Sequence, residues 1–375
     1  MQRIETLSVS NQKVFVRADL SGLGDPPSGK ALSRILPVVE ILLGKQAGVV
    51  LAGHDSNQNT FAPLADAIGK SLGRPVHLVE PGDMKQRWST LKAGQVILLE
   101  NLSKYDGETK GENAFAEQIG GGADLYVSDC FAALALPYAS ITKLTKNKTI
   151  AAGPGLHSIL LSLQEINSQK NKPLVSFLGG NDFAKKVDFM PRMLRLSQTA
   201  LIAGSIAYTF LKSRLVPVGN SIVDNGLEVT AFQLQEKAEL EQTQFILPVD
   251  HMIGERFSRD AKAKASRDLP DRWMGLDIGP KTIASFEKAL KGAGSILWYG
   301  TAGAVELPAF QTGTKSLMKF ASKLKAPITF LGEDTVRMAD EFTFASATMI
   351  PGSESAIQVL LGKNPPGLAL LQKEI

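Results

Sequence analysis

The sequence predicts an α/β protein of two doubly wound, Rossmann-like parallel-sheet domains joined by a hinge helix, and three observations predict it. The chain has 375 residues, 44% hydrophobic and 21% charged, an ordinary globular composition with enough length for two buried cores. Short β-branched runs alternate with helical patterns, which is the rhythm of βαβ units in a parallel sheet covered by helices. That rhythm breaks at one polar stretch, LQEINSQKNKP (163–173), and then resumes. The expected division is residues 1–155, a connecting helix and linker at 156–172, and a second domain at 173–350. No internal repeat or low-complexity segment interrupts it.

In the first half, VFVRADL (14–20), GVVLAG (48–53), VHLVE (76–80), VILLEN (96–101) and LYVSD (125–129) read as strands. SRILPVVEILLGKQ (33–46) and FAPLADAIGKSLG (61–73) read as helices; in the first, Ser33 offers a capping oxygen and Pro37 falls near the first turn, where it is tolerated. In the second half PLVSFLGG (173–180), TALIAGS (199–205), TQFILPVD (243–250), SILWYG (295–300) and PITFLGED (327–334) are the strands. KTIASFEKALKG (281–292) and TKSLMKFASKLK (314–325) are helices between them. Ligands of open α/β sheets bind beyond the carboxyl ends of the strands. Asp19, His54, Asn101, Asp129, Gly179, Gly180, Gly204, Tyr299, Gly300 and residues 332–335 all stand there, so a cleft facing both domains is expected.

FLGGNDFAKK (177–186) poses the sharpest question. An apolar run stops at Gly179-Gly180 and a helix start is expected next, the arrangement that brings backbone N–H groups up to a phosphate. Yet the first charge after the glycines is Asp182, and Lys185 and Lys186 follow one turn later.

Charge and composition exclude several classes. Forty-one basic against 37 acidic residues give +4, too little for a nucleic-acid surface, and residues 1–150 are almost balanced at 16 basic and 15 acidic. The sole cysteine, Cys130, excludes an internal disulfide or a multi-cysteine metal site, fits a reducing compartment, and reads as core packing. MQRIETLSVSNQ lacks the apolar centre of a signal peptide, and no apolar run approaches the roughly 18 residues of a membrane span. A cytoplasmic monomer with neither nucleic-acid nor membrane partners is expected. No G-x-G-x-x-G opens the first strand–helix turn, which sets aside a nucleotide-dependent dehydrogenase.

VFVRADLSG, VILLENLSKYDGE, LYVSDCFAALALPYAS, VSFLGGNDFAKKV, LIAGSIAYTFLK, LPVDHMIGERFS, WMGLDIGPKTI, ILWYGTAGAVELPAFQTGT and LGEDT follow one another as similar segments do in phosphoglycerate kinases. The chain resembles that family along nearly its whole length. The resemblance implies a glycolytic type of reaction, reversible phosphoryl transfer between ATP and the carboxylate of 3-phosphoglycerate. The N-terminal domain would bind the acceptor and the C-terminal domain the Mg2+ complex of ATP or ADP; the domains would close on a hinge, and the tail 351–375 would return to the first domain.

On the acceptor side Arg17, Asp19, Arg34 and His54 match family positions, Arg34 as the catalytic cation. Ser21 stands where the family has asparagine, and Asn57, Ser103 and Leu136 replace three arginines that clasp the substrate phosphate. A charge-assisted hydrogen bond contributes about 1.5–3 kcal/mol, so three lost arginines remove roughly 5–9 kcal/mol before non-additivity. On the nucleotide side the resemblance assigns Gly179, Gly180, Lys186, Gly204, Glu306, Gly332, Asp334 and Thr335. Lys186 would meet the phosphates, Glu306 the ribose hydroxyls, and Asp334 the metal of the Mg-nucleotide. Against these, Asp182 replaces a lysine that follows the transferred phosphoryl group, Tyr299 replaces an asparagine, and Glu333 and the stretch PGSESA (351–356) replace glycines. Two expectations result. Either transfer to 3-phosphoglycerate is weak, absent or redirected to another carboxylate, or the chain is an inactive pseudoenzyme that binds a nucleotide or a partner.

Overall fold

The computed structural model describes residues 1–20, 27, 29–55, 59–144 and 148–372. Ser21 and Asn57 therefore lie outside the described residues. The chain forms two compact units, Met1–Leu161 with Gly352–Ile375, and Ser162–Pro351.

The first unit is built on β1 (Lys13–Ala18), β2 (Gly48–Ala52), β3 (Val76–Val79), β4 (Val96–Leu99), β5 (Leu125–Asp129) and β6 (Thr149–Ala152). They lie in the order β3-β4-β2-β1-β5-β6, every pair parallel. Central strands covered on both faces must be apolar almost throughout, and VFV, VVL and YV in β1, β2 and β5 supply this. Val14, Val16, Val49 and Leu51 meet Val38, Leu42 and Ile68 of the helices Leu36–Gly44 and Ala62–Leu72 in one core.

The first of these helices corrects the sequence-based reading. A short helix, Gly29–Leu32, ends before Ser33, and the longer one starts only at Leu36, with Ile35 at its N-cap and no capping side chain. Proline lacks an N–H, so Pro37 cannot bond the Ser33 carbonyl one turn back, and the helix restarts instead of running through.

After β5 the carboxylate of Asp129 accepts from Leu156 N at 2.8 Å and so holds the start of the helix Pro154–Asn167. The C-terminal segment packs on the turn Ala132–Ala135: Ser355 Oγ donates to Ala132 O and accepts from Ala135 N, both at 3.0 Å.

The second unit contains β7 (Leu174–Leu178), β8 (Thr199–Ile202), β9 (Gln244–Ile246), β10 (His251–Gly254), β11 (Lys264–Ser266), β12 (Met274–Ile278), β13 (Ser295–Tyr299), β14 (Ile328–Leu331) and β15 (Ala347–Ile350). A parallel sheet runs β15-β14-β13-β7-β8-β9, and β11-β10-β12 forms a small antiparallel sheet. Phe177 and Trp298 stack at 4.3 Å between centroids in its core, with Phe286 and Phe330 beside them. Met190 and Met193 are fully buried in the helix Met190–Leu196. Among the described residues no helix is long and apolar enough to cross a membrane, and no group of three or more metal-ligating side chains converges.

Candidate functional site

In the first unit the ends of β1 and β2 place Arg17 and His54 side by side. Arg17 is 1% exposed, and its guanidinium is fully engaged inside the protein. Nε donates to Ser140 Oγ at 3.0 Å, Nη1 to the Ala18 carbonyl, and Nη2 meets His54 Nδ1. Glu108, wholly buried, accepts from Ser140 N at 2.9 Å and Ser140 Oγ at 2.5 Å, and its Oε1 lies 3.1 Å from His54 Nε2. The Tyr138 ring covers His54 at 4.6 Å.

Burial, with the Arg17 charge adding to it, pushes the His54 imidazole down to about 4, so the ring is neutral at pH 7. Burial works against a charge on Glu108, but the adjacent His54, Arg17 and Ser140 outweigh it and hold the carboxyl below its ordinary range. A positive and a negative charge thus cancel beneath the strand ends, with a neutral imidazole between them. Farther along the same edge, burial raises the Asp129 carboxyl to about 7, against the pull of the Leu156 and Gly155 amides. The lone Cys130 is buried, and burial pushes its thiol up to about 12, which fits core packing and not a nucleophile.

Glu108 and Ser140 were not legible as site residues. Glu108 sits in KYDGET, which reads as a solvated turn, and only the fold turns its carboxylate inward.

In the second unit the loops after β7, β8 and β13 meet backbone to backbone. Gly179 N donates to Tyr299 O at 2.8 Å, Gly180 N to Thr301 O at 2.7 Å and Gly204 N to Ala302 O at 3.0 Å. These N–H groups face carbonyls, so they do not form the open anion cradle that FLGG suggests. Gly204 and Gly300 are required here. Both have positive φ, +65° and +96°, and a Cβ would lie 2.4 Å from Gly180 N or 2.3 Å from Gly179 O.

The expected helix start after the glycines is also absent. Asp182 adopts φ +60°, residues 184–189 form turns, and the regular helix begins at Met190. Asp182 is engaged locally: Oδ2 pairs with Lys185 Nζ at 2.6 Å, and that bond, first among several, lowers its carboxyl. Lys186, 5% exposed, turns inward and donates to Asn181 O at 2.6 Å, with its Nζ 4.8 Å from the Tyr299 ring centroid. Burial lowers its amine to about 8.

At the end of β14, Gly332 has φ +95° and is the N-cap of the helix Glu333–Ala339. Thr335 is buried and accepts from Gly300 N at 2.9 Å, which ties this helix to the end of β13. Asp334 is exposed and pairs with Arg337 at 2.8 Å; Glu306 and Glu333 are exposed as well.

A family model described as phosphoglycerate kinase matches residues 4–363. The chain belongs to the phosphoglycerate kinase family. A phosphoglycerate kinase of Leptospira biflexa is 32% identical over 395 residues, covering 99% of this chain and 98% of the relative. One from Geobacter metallireducens is 30% identical over 389 residues, covering 98% of each. The solved phosphoglycerate kinase of Coxiella burnetii superposes with a TM-score of 0.81 at 27% identity over 98% of both chains. That of Pyrococcus horikoshii OT3, at 21% identity over 99% of this chain and 98% of its own, gives 0.84 and supports the fold.

Set against the family, the two described positions where arginines are expected have internal partners. Ser103 Oγ donates to Asp55 O at 2.7 Å, and Ser103 N donates to Asn101 Oδ1 at 3.1 Å, which fixes the loop after β2. Asn101 completes the tie by accepting from Asp55 N at 3.0 Å. Leu136 packs part-buried against the small cluster of Cys130, Ala133 and Ile141. Of the residues that the resemblance assigns to the acceptor side, Arg17 and His54 come together, Asp19 follows β1 directly, and Arg34 lies half-buried in the turn before Leu36.

Proposed function

We propose that the protein is a phosphotransferase of the phosphoglycerate kinase type whose acceptor is a small carboxylic acid that carries no phosphate of its own. The observation that carries this reading is the pairing of a retained interior with a lost clasp. Arg17, His54, Glu108 and Ser140 form a bonded set at the end of β1, while Ser103 and Leu136 turn toward the protein. Arg17 is too deep to touch a ligand, so its part is to hold His54 and, through Ser140, Glu108. Arg34 and Asp19 are then the groups that meet the acceptor, with Arg34 the cation beside the carboxylate.

The second unit is the nucleotide side. Asp334, an exposed carboxylate at the start of a helix, is a suitable oxygen ligand for Mg2+ held jointly with phosphate, and the surface pair with Arg337 is weak enough to exchange. When bound, the metal supplies charge neutralisation of the transferring group. Glu306, exposed, is free of a buried environment and suits ribose hydroxyls. In the transfer a carboxylate oxygen of the acceptor forms the new O–P bond as the bond from the γ-phosphorus to the bridging oxygen of ADP breaks, and Arg34 offsets the negative charge.

A second reading, a family scaffold without transfer, is favoured by two features of this side: Lys186 is turned inward and Asp182 stands where a lysine is expected. Calorimetric titration with Mg-ATP and Mg-ADP separates the two. The first reading expects binding in the micromolar to millimolar range together with ATP consumption when a set of unphosphorylated carboxylic acids is supplied. Binding without consumption supports the scaffold, and no binding removes the first reading.

A further inference from the structure

The Tyr299 side chain lies between two loops of the second unit. Lys186 Nζ lies 4.8 Å from its centroid, and Phe189 meets it edge-on with centroids 6.2 Å apart. On the side of the loop after β14, a Cβ built on Gly332 would stand 3.4 Å from Tyr299 Cε2. The ring therefore fills the space between the loop after β7 and the loop after β14, the two segments that carry Lys186 and Asp334.

Lys186 is held there by the Tyr299 ring and two backbone carbonyls, the farther being Asp182 O at 3.5 Å. Its ammonium donates to Asn181 O at 2.6 Å and lies within cation–π range of the ring. The charged groups facing it are Asp182, Asp224 and Lys185, and Asp182 is already paired with Lys185. No carboxylate partner fixes Lys186 among the described ion pairs, so a ring and two carbonyls hold a charge that an anion would attract more strongly.

We infer that Tyr299 stows Lys186: the ring keeps the ammonium folded inward, so a polyphosphate ligand meets this unit without that cation until the ring is moved or removed. The inference rests on the nucleotide-side reading of this unit for its ligand, but not for the stowing itself. It predicts that the ring at position 299 controls both the exposure of Lys186 and the affinity for polyphosphates.

The test compares wild type, Tyr299→Phe and Tyr299→Asn. Phenylalanine keeps the ring and its packing; asparagine is the residue the family resemblance places there. The first readout is the acetylation rate of the peptide containing Lys186, followed by mass spectrometry in folded protein checked by circular dichroism. The second is calorimetric titration with inorganic tripolyphosphate and with Mg-ATP. Tyr299→Asn should label Lys186 at least about fivefold faster and bind tripolyphosphate about tenfold or more tightly, the gain of one charge-assisted bond, while Tyr299→Phe behaves as wild type.

Unchanged labelling in Tyr299→Asn overturns the inference whatever the affinities. Faster labelling with equal, measurable affinity in all three proteins also overturns it, since the freed amine then takes no part in binding. Faster labelling with no binding by any of the three supports the stowing and removes the nucleotide-side reading instead. Should Tyr299→Asn unfold, slow labelling in Tyr299→Phe and fast labelling in folded Tyr299→Leu support the inference, and fast labelling in Tyr299→Phe overturns it.

Discussion

Glu108 is the residue on which the interior of the first unit turns. Its carboxylate faces the Arg17 charge across the Ser140 hydroxyl, and removing that buried counter-charge leaves Arg17, 1% exposed, uncompensated. Glu108→Gln should therefore lower stability by about 3–5 kcal/mol in urea unfolding, far more than a surface substitution. His54 gives a pH signature. Its folded-state pKa is depressed to about 4 from 6.5, so the unfolded chain binds the extra proton between those values. Its contribution is complete above pH 6.5 and is lost as pH falls toward 4, about 2 kcal/mol by pH 5. Asp129, raised to about 7, acts in the opposite sense, favouring the folded state at low pH and losing that contribution as pH rises through 7. The difference between wild type and His54→Gln isolates the histidine: wild type should lose about 2 kcal/mol more than the variant between pH 7 and pH 5. Equal losses would show that His54 is not the depressed group.

Among the elements, the parallel strands were legible because burial on both faces demands unbroken apolar runs, as in VFV of β1 and SILWY of β13. Less was legible where the physics was not local. The helix start assigned to Ser33 fails on the missing N–H of Pro37, and the small antiparallel sheet was hidden because β11 is the exposed KAS. β10 opens on His251, and its neighbour Asp250, read as the end of the strand TQFILPVD, lies beyond β9 and caps the helix Pro280–Lys291 through Lys281 N at 2.9 Å and Thr282 N at 2.8 Å. At the candidate site the same contrast holds: His54 was placed from a strand end and Arg17 from the family resemblance, whereas Glu108 became visible only once the chain was folded. The meeting of strand-end loops in the second unit gives an element-scale prediction. Gly300→Ala puts a Cβ 2.3 Å from Gly179 O at a positive φ, and backbone cannot yield as a flexible side chain can. Strain and overlap together should cost about 3 kcal/mol or more, read as a fall of several degrees in the melting temperature. Gly73→Ala, at φ +63° with nothing within 4 Å, should cost only about 1 kcal/mol by the same assay.

For the molecule as a whole, family membership gives the fold, and the acceptor is decided by a few side chains on it. Residues 1–150 carry 16 basic and 15 acidic groups, and inside that near-balance the Arg17 charge is answered by Glu108. On the proposed function, little positive potential is left for a second anionic group on the acceptor. Ser103→Arg with Leu136→Arg adds two cations where the family resemblance expects them and should tighten 3-phosphoglycerate binding by about tenfold or more, at the cost of the Ser103–Asp55 bond. The proposed loss of the phosphate clasp with retention of the carboxylate side is checked by steady-state turnover of 3-phosphoglycerate by the wild-type protein with saturating Mg-ATP. The account predicts turnover well below about 1 per second at millimolar 3-phosphoglycerate; a rate within the usual enzyme range of about 1–1,000 per second would contradict it.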